Sequence, residues 1–151
     1  MHLIHKTPVE QQLTQVWAGF NRKLFEQLTP TFPPVKVVRF DGCLRGDIVH
    51  LQLNFFLLRQ DWISHIVDQN STEQEIYFID HGAKLPFFLT YWHHRHRLIS
   101  LPNDATGLQT LIVDDVTFRT PFRLTDYLVY PILWLQFACR KPVYKRVFKR
   151  T

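Results

Sequence analysis

Residues 92–118 read WHHRHRLISLPNDATGLQTLIVDDVTF, and the alternation within this stretch decides the fold. Side chains of different character alternate with a period of two on both sides of residues 102–107, PNDATG. The proline, asparagine, aspartate and glycine of that segment favour a chain reversal. The stretch therefore predicts a strand over about residues 90–101, a loop, and a return strand over residues 108–118.

The first of these strands has two chemically different faces. Trp92, His94 and His96 share one face, because successive side chains on a strand point to opposite sides of the sheet. The other face carries Arg95 and Arg97, whose charges favour contact with water. We therefore expect the tryptophan and the two histidines to point into the protein.

The return strand brings a carboxylate toward these histidines. One of its faces carries Ile112, Asp114, Val116 and Phe118. If that face is also the inner one, Asp114 lies beside His94 or His96. A carboxylate beside an imidazole fixes the tautomer and raises the pKa of the histidine, as an acid–base pair requires. The alternative is a hydrogen-bonded polar patch in a pocket wall, which orients a ligand without catalysis.

Earlier parts of the chain repeat the strand pattern. We predict strands over residues 2–6, 35–40, 49–55, 61–68 and 75–80. Residues 69–72, QNST, lie between the last two of these strands and predict a turn. Residues 80–84, DHGAK, predict a break in the chain at the end of the last one. Short connections between successive strands are typical of an antiparallel meander with one covered face.

Helical patterns flank the predicted sheet. Thr7, Pro8 and Glu10 resemble a helix start, with a capping hydroxyl, a proline at the first helical position and a glutamate three residues after the threonine. Apolar residues then recur at helical spacing as far as Leu28, and the proline-rich residues 29–34 end all helicity. Two short helices are therefore expected after the first strand.

The C-terminal segment predicts one long last helix. The helix begins at Thr120–Pro121, and Pro131 and Pro142 are expected to kink it. The longest apolar run, residues 127–139, has 13 residues, whereas a membrane span requires roughly 20. We therefore expect this run to be a buried helix.

Together these elements predict a single α+β domain over residues 1–151. The chain is 46% apolar, which is enough for one core. The expected architecture is a curved antiparallel sheet of about seven strands wrapped around the long C-terminal helix, with two short helices after the first strand. Sheet curvature keeps such a helix from touching every strand, so a gap lined by apolar and aromatic side chains is expected between the two layers.

Composition argues against several classes of protein. Cys43 and Cys139 lie far apart, which disfavours both a disulfide framework and a thiolate zinc site. Residues 1–12 lack the layout of a signal peptide, so a cytoplasmic protein is expected. The net charge of +5 is concentrated in residues 140–151, which hold six bases and no acid. The rest of the chain lacks a broad basic surface, which argues against nucleic acid as a partner.

Three motifs resemble those of a known superfamily. They are Trp92-x-His94-x-His96, the run from Asp114 to Phe118, and Phe137-x-x-Arg140. In this order they resemble the START-like (SRPBCC) superfamily, which is also called Bet v 1-like and includes polyketide cyclase/dehydrase and lipid transport proteins. The resemblance is greatest to its bacterial ligand-binding branch. The resemblance implies the helix-grip fold, with a cavity between the sheet and the last helix.

The leading functional hypothesis is binding of a hydrophobic or aromatic small molecule, lipid or polyketide-like, in that cavity. The alternative is a cyclase, aromatase or dehydratase that uses His94 or His96, with Asp114, for acid–base catalysis. The candidate ligand-binding residues are Phe55, Trp62, Phe78, Trp92, His94, His96, Asp114, Phe118, Tyr127 and Trp134. The same aromatic residues would equally well fill a core, since both roles require large apolar side chains.

No metal or other cofactor is predicted. The H-x-H spacing of His94 and His96 admits zinc, but Asp80, His81 or Asp114 would have to supply a third ligand. The basic residues 140–151 are interpreted either as a solvated helix end or as a contact with an anionic membrane surface or an acidic partner. The second interpretation gives a third hypothesis, an interaction protein. We expect a monomer or a homodimer.

Overall fold

The computed structural model describes residues 1–102 and 108–150, and within them the chain forms one seven-stranded sheet and four helices. The strands are β1 His2–Val9, β2 Val35–Phe40, β3 Ile48–Phe55, β4 Leu58–Ser71, β5 Glu75–Lys84, β6 Tyr91–Ser100 and β7 Thr110–Arg119. The helices are α1 Leu13–Ala18, α2 Arg22–Leu28, α3 Arg123–Ala138 and α4 Arg140–Val147. Apart from Pro102, the predicted loop at residues 102–107 lies outside the described residues.

Neighbouring strands are antiparallel throughout, in the order β1-β7-β6-β5-β4-β3-β2. Strands β2 to β7 form the predicted meander, and β1 adds the N-terminus to the free edge of β7. The sheet is curved, and α1 and α2 follow β1 while α3 and α4 follow β7. The predicted α+β architecture is confirmed.

The pair β6–β7 has the predicted faces. Trp92, His94 and His96 point inward and expose only 4%, 2% and 1% of their surface. His96 lies directly opposite Asp114 in the antiparallel register, and Asp114 is buried too. The inner faces of both strands therefore coincide, as the alternation indicates.

The helix start predicted at Thr7–Glu10 is wrong, because β1 continues to Val9. Thr7 and Val9 are buried and pair with β7, and this burial outweighs the local capping pattern. Pro8 is tolerated because β1 is an edge strand, where a missing N–H costs no bond within the sheet. The first helix begins only at Leu13.

The two predicted interruptions at residues 69–72 and 80–84 are also wrong in position. β4 continues to Ser71 and β5 continues to Lys84. Asn70 and Ser71 still pair with β5, although both are exposed. A strand end that no helix covers needs no apolar alternation, so its polar residues imitate a turn in the sequence.

The last helix is divided at Cys139 into α3 and α4. Pro142 accounts for the division, because it has no N–H to donate to the Ala138 carbonyl. At Pro131, by contrast, α3 continues.

The prediction that residues 127–139 are buried is wrong for the outer side of α3, where Leu128 and Leu135 are 66% and 59% exposed. Among the described residues, no helix is both long enough and apolar enough to cross a bilayer.

Apolar side chains of the inner sheet face pack in two clusters. One lies beneath α1, α2 and α4 and contains Phe20 and Tyr144. The other lies beneath α3 and contains Phe137. The histidine pair lies between them, with the His96 ring 6.2 Å from Phe20 and the His94 ring 5.1 Å from Phe137. Aromatic side chains of both clusters therefore pack against the two imidazoles.

Candidate functional site

A cavity of about 480 Å³ lies between the sheet and α3. α3 packs on β1 and β7 near one edge of the sheet, whereas the cavity extends over β3, β4 and β5. Its apolar wall includes Leu51, Leu53, Phe55, Trp62, Leu133 and Phe137. The connection from α2 to β2, residues 29–34, contributes further apolar lining. The gap that sheet curvature predicts is therefore present.

Charged and polar side chains also line this apolar cavity. Asp80 on β5, His94 and His96 on β6, and Arg140 at the start of α4 all contribute to its wall. Asp80 faces inward because it lies directly opposite His94 in the register of β5 and β6. The two imidazoles stack with ring centroids 3.6 Å apart, as side chains two residues apart on one strand can do.

Each imidazole lies between two carboxylates. His94 places Nδ1 3.3 Å from Asp80 Oδ2 and Nε2 2.9 Å from Asp114 Oδ1. His96 places Nε2 3.3 Å from Asp80 Oδ2 and Nδ1 3.5 Å from Asp114 Oδ1. Both histidines are therefore aligned by the same two oxygen atoms. We call these four residues the His–Asp cluster.

Surrounding side chains fix the His–Asp cluster. The Trp92 indole donates a 2.8 Å hydrogen bond from Nε1 to Asp80 Oδ1. Arg140 donates from Nη1 to Asp114 Oδ1 at 3.4 Å, and its guanidinium lies 4.1 Å from the centre of the Phe137 ring. Phe78 stacks on His96 with ring centroids 4.2 Å apart. Few degrees of freedom remain for these side chains.

The environments of the two histidines shift their pKa values in opposite directions. Burial alone would lower the pKa of His94, but hydrogen bonds to Asp114 and Asp80 outweigh it and raise the pKa above its usual value. Burial and the neighbouring His94 lower the pKa of His96 to about 4. Burial opposes ionisation of Asp80 and Asp114, yet their histidine partners hold the pKa of both carboxyls below the usual range. The two carboxylates therefore face His94 and the Arg140 guanidinium, and their negative charge favours the protonated form of His94.

The residues predicted to bind a ligand do not all line the cavity. Phe55, Trp62, Phe78, Trp92, His94 and His96 line the cavity. Asp114 lies behind the imidazoles, and Phe118 is buried in the core beneath α3. Tyr127 and Trp134 lie on exposed parts of α3, outside the cavity lining. Because α3 is apolar on nearly every side, the sequence gives no sign of which residues face inward.

Two residues of the site were not among those predicted. The sequence predicts a break in the chain at Asp80 and offers this residue only as a metal ligand, although it continues the inward alternation of Ile76 and Phe78. Arg140 belongs both to the Phe137-x-x-Arg140 motif and to the basic C-terminal segment, and neither predicts its place in the cavity wall, although it lies three positions after Phe137 and so shares its side of a helix. The strand alternation extended to Asp80, and the helical spacing extended to Arg140, both indicate that these side chains point inward.

Three members of the cluster offer a set of metal-ligating atoms. One atom each from Asp80, His94 and His96 lies within 4.8 Å of the others. Of the other third ligands considered, His81 is directed to the outer face, where its ring lies 6.0 Å from that of His93. Asp114 lies at the opposite edges of the imidazoles, where it is bonded to His94 Nε2 and lies 3.5 Å from His96 Nδ1.

No protein-family model and no curated protein matches this sequence. Protein Ms6760 from Mycobacterium smegmatis matches the structure with a TM-score of 0.64 and 15% sequence identity, over 99% of this chain and 91% of that one. A truncated norcoclaurine synthase from Thalictrum flavum matches with a TM-score of 0.61 and 13% identity, over 100% and 95%. A protein from Staphylococcus epidermidis, solved by NMR, matches with a TM-score of 0.59 and 15% identity, over 94% and 84%.

These similarities extend over nearly the whole chain at low sequence identity, so they concern the fold. The structural neighbours include Bet v 1-like proteins such as norcoclaurine synthase. This chain has the same elements, namely a curved antiparallel sheet, two short helices after the first strand and a long, bent C-terminal helix. The chain therefore has the helix-grip fold, as predicted.

Proposed function

We propose that the protein binds a predominantly apolar small molecule, lipid or polyketide-like, whose oxygen-bearing end contacts the His–Asp cluster. The observation that carries this proposal is an apolar cavity of about 480 Å³ with a buried polar cluster in its wall. Ligand pockets commonly have volumes of about 300–1,000 Å³ and combine apolar walls with a few fixed polar groups. Burial of apolar ligand surface, at roughly 25 cal/mol per Å², supplies most of the affinity.

The cluster favours a ligand with hydrogen-bonding oxygen atoms at one end. Arg140 uses Nη1 for Asp114, and its guanidinium carries further N–H donors at the cavity wall. A carbonyl, hydroxyl or carboxylate group can accept these bonds, whereas a hydrocarbon end would leave buried donors unpaired. The protein is therefore expected to discriminate between ligands by the polar end and to tolerate variation of the apolar part.

The experiment is a binding titration with a naphthalene-based fluorescent probe, followed by displacement with fatty acids and hydrocarbons of equal length. Leu51→Trp fills part of the cavity and is expected to reduce the affinity for every apolar ligand. Leu44→Trp is the matched control, because Leu44 is 57% exposed and lies outside the cavity lining. Equal affinity of wild type and Leu51→Trp would contradict the proposal.

A second proposed function is docking of the cavity mouth on a lipid surface. Phe32, Phe56, Leu57, Phe87 and Ile132 are all strongly exposed, and we call them the apolar rim. Phe32 and Ile132 also line the cavity, and the Phe56 ring lies 6.3 Å from that of Phe32. The rim is therefore continuous with the cavity, which would let a ligand pass from a bilayer without crossing water.

Charge supports a lipid surface as the occupant of the rim. Arg59 follows the fully exposed Leu57 by two positions, and Arg123 lies between the exposed Phe122 and Leu124 at the start of α3. Exposed bases beside apolar tips suit anionic lipid headgroups. In the basic C-terminal segment, by contrast, Tyr144 is buried in the core, so that segment offers mainly its bases to a surface.

Sedimentation with phosphatidylserine-containing vesicles tests this docking. Wild type is expected to bind, and Leu57→Glu is expected to release the protein. Leu44→Glu, an exposed leucine in the β2–β3 connection, is the control and is expected to bind like wild type. Docking is contradicted if wild type stays in the supernatant. A dimer that Leu57→Glu dissociates would instead assign the rim to a second copy of the chain.

Catalysis by the histidines stays a prediction. A carrier returns its ligand unchanged, whereas a cyclase or dehydratase returns a product that has lost water or gained a ring. Mass spectrometry of a polyketide-like ligand recovered after incubation distinguishes these outcomes. Loss of turnover in a His96→Gln variant that still binds the ligand would identify that imidazole as catalytic.

A further inference from the structure

We propose that Asp80, His94 and His96 form a site for a divalent transition metal of the zinc class, open on one side to the cavity. Two imidazoles and one carboxylate are a donor set that suits zinc, iron and cobalt. The three residues lie on the adjacent strands β5 and β6, and all three side chains line the cavity. The proposal depends on how these side chains are arranged.

Two of the three distances between the ligating atoms match those around a tetrahedral ion, and all three are within 4.8 Å. Asp80 Oδ2 lies 3.3 Å from His94 Nδ1 and 3.3 Å from His96 Nε2. Ligand atoms that are about 2.0–2.1 Å from a zinc ion in tetrahedral geometry are about 3.3 Å from one another. An ion can therefore replace the direct contacts among these atoms with little movement of the strands.

In Asp80 and His94, the polar atom that faces away from the proposed ion is already hydrogen-bonded. Trp92 donates to Asp80 Oδ1, which directs Oδ2 toward the imidazoles. Asp114 Oδ1 accepts from His94 Nε2 at 2.9 Å, so that Nδ1 faces the proposed ion. Carboxylates and other acceptors that hold the outer N–H of a metal-bound histidine fix its tautomer and orientation in this way. Asp114 is therefore a positioning residue for the site.

His96 has an otherwise unexplained polar atom. Its buried Nδ1 makes no hydrogen bond within the described residues, and Asp114 Oδ1 lies just beyond hydrogen-bond geometry at 3.5 Å. A small rotation of the ring would shorten this distance and bring Nε2 onto an ion beside Asp80. Both imidazoles would then donate their outer N–H to one oxygen of Asp114.

Charge at the site is also compatible with a divalent ion. The carboxyl groups of Asp80 and Asp114 lie 3.3 Å and 2.9 Å from the nitrogens of His94, so two acidic side chains border the proposed ion. Metal ligands bind in their deprotonated form, so an ion would displace any proton that the facing imidazole nitrogens carry. The fourth position opens to the cavity and is available to water or to an oxygen of the ligand. Only this last step rests on the proposed ligand-binding function.

The test uses the full chain, stripped with a chelator and titrated with Co²⁺ and Zn²⁺ in calorimetry. Wild type is expected to bind one ion and to give the visible absorption of four-coordinate cobalt. Asp80→Asn and His96→Gln are each expected to abolish that absorption. Asp114→Asn, which removes an outer partner, is expected to weaken affinity about 10–100-fold while the absorption is retained at saturation.

Controls distinguish this site from surface binding and from unfolding. His50→Gln and Asp61→Asn alter another His–Asp pair, 3.0 Å apart at the surface, and are expected to bind the metal like wild type. Circular dichroism shows whether each variant is folded. Folded wild type that binds neither ion, or binding that Asp80→Asn and His96→Gln leave unchanged, overturns the proposal. Probe binding in the presence of chelator is measured separately, so failure of the ligand-binding proposal is recognised independently.

Discussion

Trp92 on β6 donates a 2.8 Å hydrogen bond from its indole Nε1 to Asp80 Oδ1 on β5. The bond joins two side chains on neighbouring strands and orients a buried carboxylate toward two histidines. Trp92 also packs edge-on against Trp62, with ring centroids 4.6 Å apart. One side chain therefore lines the cavity and orders the polar cluster in its wall.

Trp92→Phe is expected to reduce the free energy of unfolding by about 1–3 kcal/mol, because it leaves a buried carboxylate oxygen without its donor. Urea denaturation measures the change. Trp62→Phe is the matched control, since it also removes an indole from the cavity wall but not the bond to Asp80. Equal losses in the two variants would show that the hydrogen bond contributes nothing specific.

The sequence predicts both Phe118 and Phe55 as ligand-binding residues, but the structure gives their substitutions different expected effects. Phe118 is completely buried in the core, so Phe118→Ala is expected to cost about 3–5 kcal/mol of stability. Phe55 is half-buried in the cavity wall, so Phe55→Ala is expected to cost less stability and to weaken ligand affinity. Thermal unfolding and probe titration on both variants check this, and the reverse order of effects would refute it.

Asp61 bridges two strands, accepting hydrogen bonds from Lys84 Nζ at 2.7 Å and His50 Nε2 at 3.0 Å. These bonds, that from Lys84 first, lower the pKa of Asp61 to about 2 from its usual 3.8. Since the folded pKa is depressed, the stabilisation is present above about pH 4 and is lost as the pH falls through about 2.

Lys84→Met is expected to raise the pKa of Asp61 toward its usual value. Carboxyl carbon NMR measures it directly. Lys6→Met, on β1 at the far edge of the sheet, is the control and is expected to leave the titration unchanged. A titration of Asp61 that is the same in Lys84→Met and wild type would show that the bridge does not persist in solution.

The two cysteines are expected to differ in reactivity. Cys43 is buried, its Sγ lies 3.6 Å from the Phe20 carbonyl, and burial raises the pKa of its thiol far above the usual value. Cys139 is exposed at the junction of α3 and α4. An alkylating reagent should therefore label one thiol in the native protein and two in denaturant. Rapid native labelling of the Cys139→Ser variant would contradict this packing.

The strand alternation around residues 92–118 predicts the most informative part of the site. Period-two alternation puts His94, His96 and Asp114 on inner faces, and the sheet register then brings them together. The helix order and the approximate strand positions could also be predicted, because apolar periodicity follows from burial on one face. Nothing in the sequence alone distinguishes a strand end rich in polar residues from a turn.

The orientation of α3 could not be predicted for a different reason. Its sequence is apolar on both sides, and Leu128 is exposed while Leu133 lines the cavity. Periodicity assigns a helix face only where polar and apolar residues alternate. Pro142 explains the break at Cys139, after which Arg140 bonds to Asp114. The sequence predicts a kink there, but the direction in which Arg140 then points depends on the three-dimensional path of the helix.

Methyl NMR of the protein with a naphthalene-based probe tests cavity binding most directly. The exposed apolar face of α3 competes with the cavity as a place for such a probe. Binding in the cavity predicts shift changes at the methyl groups of Leu51, Leu53, Val129 and Leu133. Changes confined to Leu124, Leu128 and Leu135, on the exposed side of α3, would contradict a ligand site between the sheet and the helix.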